Sequence, residues 1–213
     1  MSYRPIRKDL TEIGEDCFFC DTHLRSLKAY VLQNTETGQF VMAGPTCAQR
    51  NIADSFTLKG LPDLTKFTSA TGQRESGGSG GTGGGTSNDS ARRKAIEYLQ
   101  LREEKLSVEL KCSWNVLNSY YQSFLNGALD DNAVIHINNI ENKAPEELKL
   151  SVLQKCYNYL FWIDVALSKS DPDKSDFLKS IRERVISRKP LSQKQFETLN
   201  IVLGRLKGVP QLK

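Results

Sequence analysis

The sequence predicts an α+β chain, with a small β-hairpin/helix module at one end and an all-α domain of about four helices at the other, joined by a glycine-rich linker. Three observations predict this. Cys17, Cys20 and Cys47, three of the five cysteines, fall around two strand-like runs. Residues 72–87, GQRESGGSGGTGGGTS, hold eight glycines and no large apolar side chain. Beyond residue 89, apolar residues recur every three or four positions, the period of a helix with one buried face. The expected divisions are 1–70, 71–88 and 89–213.

In the first module, Ala29–Leu32 and Gln39–Met42 read as strands, and Asn34–Gly38 as the turn between them. Gly38 suits a positive φ there. Gly44-Pro45-Thr46 breaks the second strand. Residues 47–53 then begin a helix, with Thr46 as its expected N-cap. Two cysteines separated by two residues can turn both sulfurs toward one ion, and thiolates are preferred ligands of Zn²⁺. The segment is short and holds little apolar material, so the metal is expected to hold it together. Buried apolar thiols would explain the cysteines without a metal, but the spacing favours ligation. A redox role for Cys17–Cys20 fits less well, because no βαβ pattern follows the pair.

This order of knuckle, hairpin and cysteine-bearing helix resembles the treble-clef and zinc-ribbon fingers over residues 14–58. The resemblance implies a zinc-stabilised finger. Treble clefs usually take two ligands from the helix start, whereas here only Cys47 stands there. The fourth ligand is therefore expected from His23, which completes C-x2-C-x2-H, ahead of Asp16, Asp21 and Asp54.

The glycine tract has nothing to bury against its backbone entropy. As a flexible linker of about 16 residues it would span on the order of 20–25 Å. After it, a long helix is expected from Asp89 or Ser90 to about Asn126, carrying Leu106, Leu110, Trp114, Leu117, Tyr121 and Phe124 on one face. Pro145 suits the first turn of a second helix, with Leu148, Val152, Cys156, Leu160, Ile163 and Leu167 inward. Pro172 suits the start of a third, burying Phe177, Ile181 and Val185. Ser192 and Gln195 form a capping box for a fourth, which continues to Gly208.

Net charge is +4. Residues 1–89 hold 9 Lys/Arg against 10 Asp/Glu, residues 90–172 hold 10 against 11, and residues 173–213 hold 10 against 4. The excess is therefore local, as expected of a phosphate-binding surface, although a solvated helical face would explain it equally. Lys179, Arg182, Arg184, Arg188, Lys189 and Lys194 are the candidate nucleic-acid contacts. The turn between the third and fourth helices loosely matches a helix-turn-helix, without its usual glycine.

Motifs for nucleotide phosphates, zinc proteases or serine nucleophiles are absent from the sequence. If His23 ligates metal, His136 is the other histidine, and it reads as a partly buried structural residue between helices. Glu103–Glu104, Asp130–Asp131 and Glu146–Glu147 read as solvated faces and caps. Cys112 and Cys156 read as core thiols, and Tyr120, Tyr157 and Trp162 as core aromatics before base-stacking ones. No run reaches the roughly 18 apolar residues of a membrane span. An odd cysteine count without a leader pattern fits a reducing, cytoplasmic setting. The expectation is a non-enzymatic, zinc-containing accessory or regulatory protein that binds DNA or RNA. The alternative is an adaptor or inhibitor docking on a protein partner. No small-molecule substrate is evident.

Overall fold

The computed structural model describes residues 2–68, 87–171 and 175–213. These form two compact units, one of residues 2–66 and one of residues 67–68, 87–171 and 175–213. The linker expectation falls almost wholly on 69–86, outside the described residues, and 87–88 already belong to a helix. The proposed helix start at Pro172 also lies outside them.

The first unit is a three-stranded antiparallel sheet, ordered β1 (Tyr3–Leu10), β2 (Lys28–Asn34), β3 (Phe40–Ala43), followed by helix α1 (Pro45–Asn51). The expected hairpin forms. Asn34 Oδ1 accepts from the backbone N–H groups of Glu36 (2.9 Å) and Thr37 (3.0 Å), and Gly38 takes φ +74°. Strand β1 was not expected, since Arg4, Arg7, Lys8 and Asp9 obscure its alternation. It pairs with β2 from Tyr3↔Asn34 to Leu10↔Lys28, with an irregularity between Pro5 and Arg7. Arg7 and Asp9 are buried as a 2.7 Å ion pair, which is how two charges come to sit inside a strand. Tyr3, Leu24, Ala29, Leu32, Val41, Ala43 and Ala48 make a buried apolar cluster together with Cys17. The module thus has a buried apolar core, more apolar packing than its short sequence led one to expect. Helix α1 starts two residues earlier than expected. Gly44, not Thr46, is its N-cap, because Pro45 occupies the first turn without needing a donor.

The second unit is all helical: α2 (Ser87–Leu99), a π-helical turn (Gln100–Lys105), α3 (Asn115–Leu125), α4 (Asp131–Lys143), a short 3-10 turn (Glu146–Leu148), α5 (Leu150–Lys169), α6 (Asp176–Ile186) and α7 (Gln193–Gly204). Its six α-helices replace the four expected. The long first helix is split, because the chain leaves the π turn at Leu106 and doubles back. Arg102 Nε donates to the Cys112 carbonyl (3.0 Å), and Glu103 accepts from the Trp114 N–H (3.1 Å) at the start of α3. Leu106, Leu110 and Leu117 are buried as expected, but Trp114 is exposed. Helix α4 occupies the stretch read as a connection. Asp130 caps it by accepting from the Ala133 N–H (2.7 Å), and Val134 and Ile137 turn inward. The second expected helix begins at Leu150 instead of Pro145. The Ser192–Gln195 capping box forms on both sides, and α7 ends at Gly204 instead of Gly208. Trp162, fully buried, donates Nε1–H to Thr68 Oγ1 (2.9 Å), and that hydroxyl donates to Asn158 Oδ1 (2.8 Å). Among the described residues, no helix is long and apolar enough to cross a membrane.

Candidate metal centre

The chain forms a tight knuckle at Cys17–Cys20. The Cys17 carbonyl accepts from the backbone N–H groups of Cys20 (3.3 Å) and Asp21 (2.9 Å), and the Cys17 N–H donates to the Thr22 carbonyl (2.9 Å). Asp21 takes φ +50°, a left-handed conformation that a short polar side chain tolerates. Cys47 reaches the knuckle from the first turn of α1.

The sulfurs of Cys17, Cys20 and Cys47 all lie within 4.8 Å of one another. Thiolates bound at about 2.3 Å to one tetrahedral ion stand about 3.8 Å apart, so small side-chain adjustments suffice for all three to share it. Cys17 is buried, Cys47 half-buried and Cys20 exposed, so the group opens to solvent at Cys20. Hydrogen bonds from the Thr22 side chain and backbone, then from Cys47 and Cys17, lower the Cys20 thiol to about 7. Cys47 moves the other way, to about 11, because it shares a hydrogen bond with Cys20 and is partly desolvated beside Cys17. Cys20 therefore ionises before Cys47, and the thiolate is the form a metal requires.

His23 does not join the thiols. It forms an isolated antiparallel bridge with Asp16, and its Nδ1 pairs with Asp16 Oδ1 at the surface. Side chains alternate faces along an extended segment, so a residue paired across from Asp16 faces away from Cys17. Asp16, Asp21 and Asp54 do not join the group either. Among the described residues the cluster consists of three thiols. Thr22, which tunes Cys20, was not singled out from the sequence.

The basic candidates on α6, α7 and their junction divide into two kinds. Arg182 is committed to carboxylates: Nε donates to Asp164 Oδ1 (2.6 Å) and Nη2 to Glu109 Oε2 (3.0 Å). The Asp164 hydrogen bond, set against partial burial, holds its pKa above the ordinary guanidinium value. Arg184 Nε donates to the Pro190 carbonyl (2.9 Å), and Arg188 Nη1 to the Leu110 carbonyl (3.2 Å). Both of these partners are backbone carbonyls, not carboxylates. Lys179, Lys189 and Lys194 are exposed, with Lys179 3.6 Å from Asp176.

His136 is exposed on α4, contrary to the partly buried position expected, and its Nδ1 lies 2.8 Å from the Tyr120 hydroxyl. Cys112 and Cys156 are buried, and burial raises both thiols, Cys156 to about 11. Comparison with protein-family models, curated proteins and solved structures gives no significant match.

Proposed function

We propose that the chain is a non-enzymatic, zinc-bearing accessory protein that binds nucleic acid through the basic surface of α6 and α7. Zinc suits the thiol group because it favours sulfur ligands and tetrahedral geometry. Cys17, Cys20 and Cys47 would hold it, with the fourth position taken from outside the group. The ion would tie the knuckle to α1, and its role is structural.

The observation that carries the nucleic-acid reading is the exposure of Lys179, Lys189 and Lys194 in a segment with 10 basic and 4 acidic residues. Three phosphate contacts on a duplex predict a log-affinity against log-salt slope of about −2.7, and five, counting Arg184 and Arg188, about −4.5. A titration of labelled duplex over a salt series measures the slope. Affinity that ignores salt would refute the reading.

A second reading, docking on a protein, is favoured by Phe18 and Phe40, which stand 53% and 44% exposed on the cysteine-bearing unit. Aromatic side chains are common interface anchors. Phe18→Ser and Phe40→Ser would abolish such docking and leave the salt-dependent binding of nucleic acid intact.

A further inference from the structure

Within the helical unit, a cavity of about 670 Å³ opens between α5, the α6–α7 turn and α7. Its size falls within the range of about 300–1,000 Å³ common for ligand clefts. Cys156 and Val185 line its buried apolar floor. On one wall the half-buried rings of Tyr159 and Phe196 stand 6.0 Å apart at 31°. Tyr159 is held by its hydroxyl, which donates to the Lys213 carbonyl (3.0 Å). The lining also carries Lys155, Arg188, Lys189 and Lys213 against Glu146 and Glu147, an excess of cations. Lys155 Nζ is placed 5.4 Å over the Phe67 ring.

We propose that this cleft seats an unpaired nucleotide of single-stranded DNA or RNA, its base against Tyr159 and Phe196 and its phosphate on Arg188 and Lys189. This rests on the nucleic-acid reading above and narrows it to single strands. An aromatic wall beside a cationic rim is the chemistry that holds single strands without regard to sequence: any base offers a π face, and any backbone offers phosphates. A paired base is already stacked within its duplex and cannot enter without being extruded. The exposed cations of α6 and α7 would then track the neighbouring phosphates.

The test uses the full zinc-loaded chain. Fluorescence anisotropy is measured with labelled deoxy and ribo single strands of about ten nucleotides and a hairpin duplex of the same sequence. Single strands should bind about tenfold more tightly than duplex, and Phe196→Leu should weaken single-strand binding about tenfold while leaving duplex binding unchanged. Lys189→Glu should lower the salt slope by about 1. Should Phe196→Leu fail to fold, Gln193→Glu, an exposed position on the cleft rim, decides: it should weaken single-strand binding several-fold. A stronger ribo arm would assign the 2′-hydroxyl a role, and equal arms would assign base and phosphate alone. Equal binding of single strands and duplex, indifferent to Phe196 and Gln193, overturns the cleft proposal and leaves the broader nucleic-acid reading standing. If neither nucleic acid binds at low salt, both fall.

Discussion

Removing the proposed ion should change the number of reactive thiols, and the burial and hydrogen bonding of the cysteines predict both the number and the order. The chain has five cysteines. Cys112 and Cys156 are each 5% exposed, with thiols raised by burial. Neither should react until the helical unit unfolds. In the metal-free chain Cys20 is exposed, with its thiol at about 7, so at about pH 7.5 roughly three quarters of it is the reactive thiolate. Cys47, held up near 11 chiefly by its hydrogen bond with Cys20, is then less than about 0.1% thiolate. Alkylating Cys20 removes the partner that holds Cys47 up, so Cys47 should follow. Cys17, 2% exposed, should lag both. Iodoacetamide labelling read by intact mass and peptide mapping gives the count. The expected sequence is no rapid adduct on metal-loaded chain, one and then two after chelation, and five in denaturant. Metal-loaded and chelated protein labelling at the same rate, or Cys112 or Cys156 labelling before Cys47, would refute the reasoning.

Three further outcomes follow from the geometry. Chelation should speed hydrogen exchange at the backbone amides of Cys17, Cys20 and Asp21 in the knuckle, but not in the paired segments of β1 and β2, because the sheet has its own apolar core; loss of protection throughout would show that the metal holds the whole unit. Thr68→Val keeps the side chain's volume but strands the buried Trp162 indole N–H, a loss of about 2–3 kcal/mol. For a unit of this size that lowers Tm by about 8–12 °C, and a calorimetric shift under about 2 °C would contradict it. Glu141 is pushed up by burial, yet Lys94 at 2.6 Å, the Leu150 N–H and Lys149 together hold it below the usual carboxylate range. A depressed carboxylate stabilises the folded chain above its unfolded pKa, and that stability is lost as pH falls through the folded value. Thermal stability should therefore fall between about pH 5 and pH 3, and Glu141→Gln should flatten that limb; an equally steep limb in the variant would rule this out.

Local chemistry made part of the fold legible. Asn34, Gly38, Ser192 and Gln195 act on backbone within a few residues, so the hairpin turn and the cap of α7 could be read directly. The cysteine group was legible for a similar reason: a two-residue spacing forces a knuckle, and the hairpin returns Cys47 to it. What was missed depends on partners distant in sequence. Strand β1 hides its period behind Arg7 and Asp9, which are tolerable inside only because they pair with each other. The break after α2 contains no glycine or proline before Lys111. It is imposed by Arg102 and Glu103, whose contacts lie ten or eleven residues ahead. A periodic apolar stripe runs straight through it, and periodicity alone cannot register such a reversal.

Charge poses the same problem at the proposed contact surface. On paper Arg182 and Lys189 are equivalent cations seven residues apart. In the fold, Arg182 spans Asp164 and Glu109, the latter 73 residues away in the chain, and its planar fork suits such paired carboxylates better than an ammonium would. A phosphate would have to compete with both carboxylates for Arg182. Lys189 lies exposed in the lining of the α5–α7 cleft, where it would meet the proposed ligand without breaking any of the contacts that hold Arg182. Cations counted from sequence therefore overstate the phosphate-binding capacity of α6. Arg182 holds the helix in place, and in the proposed reading recognition would fall to the lysines around it and to Arg184 and Arg188, which are anchored on backbone carbonyls instead of carboxylates.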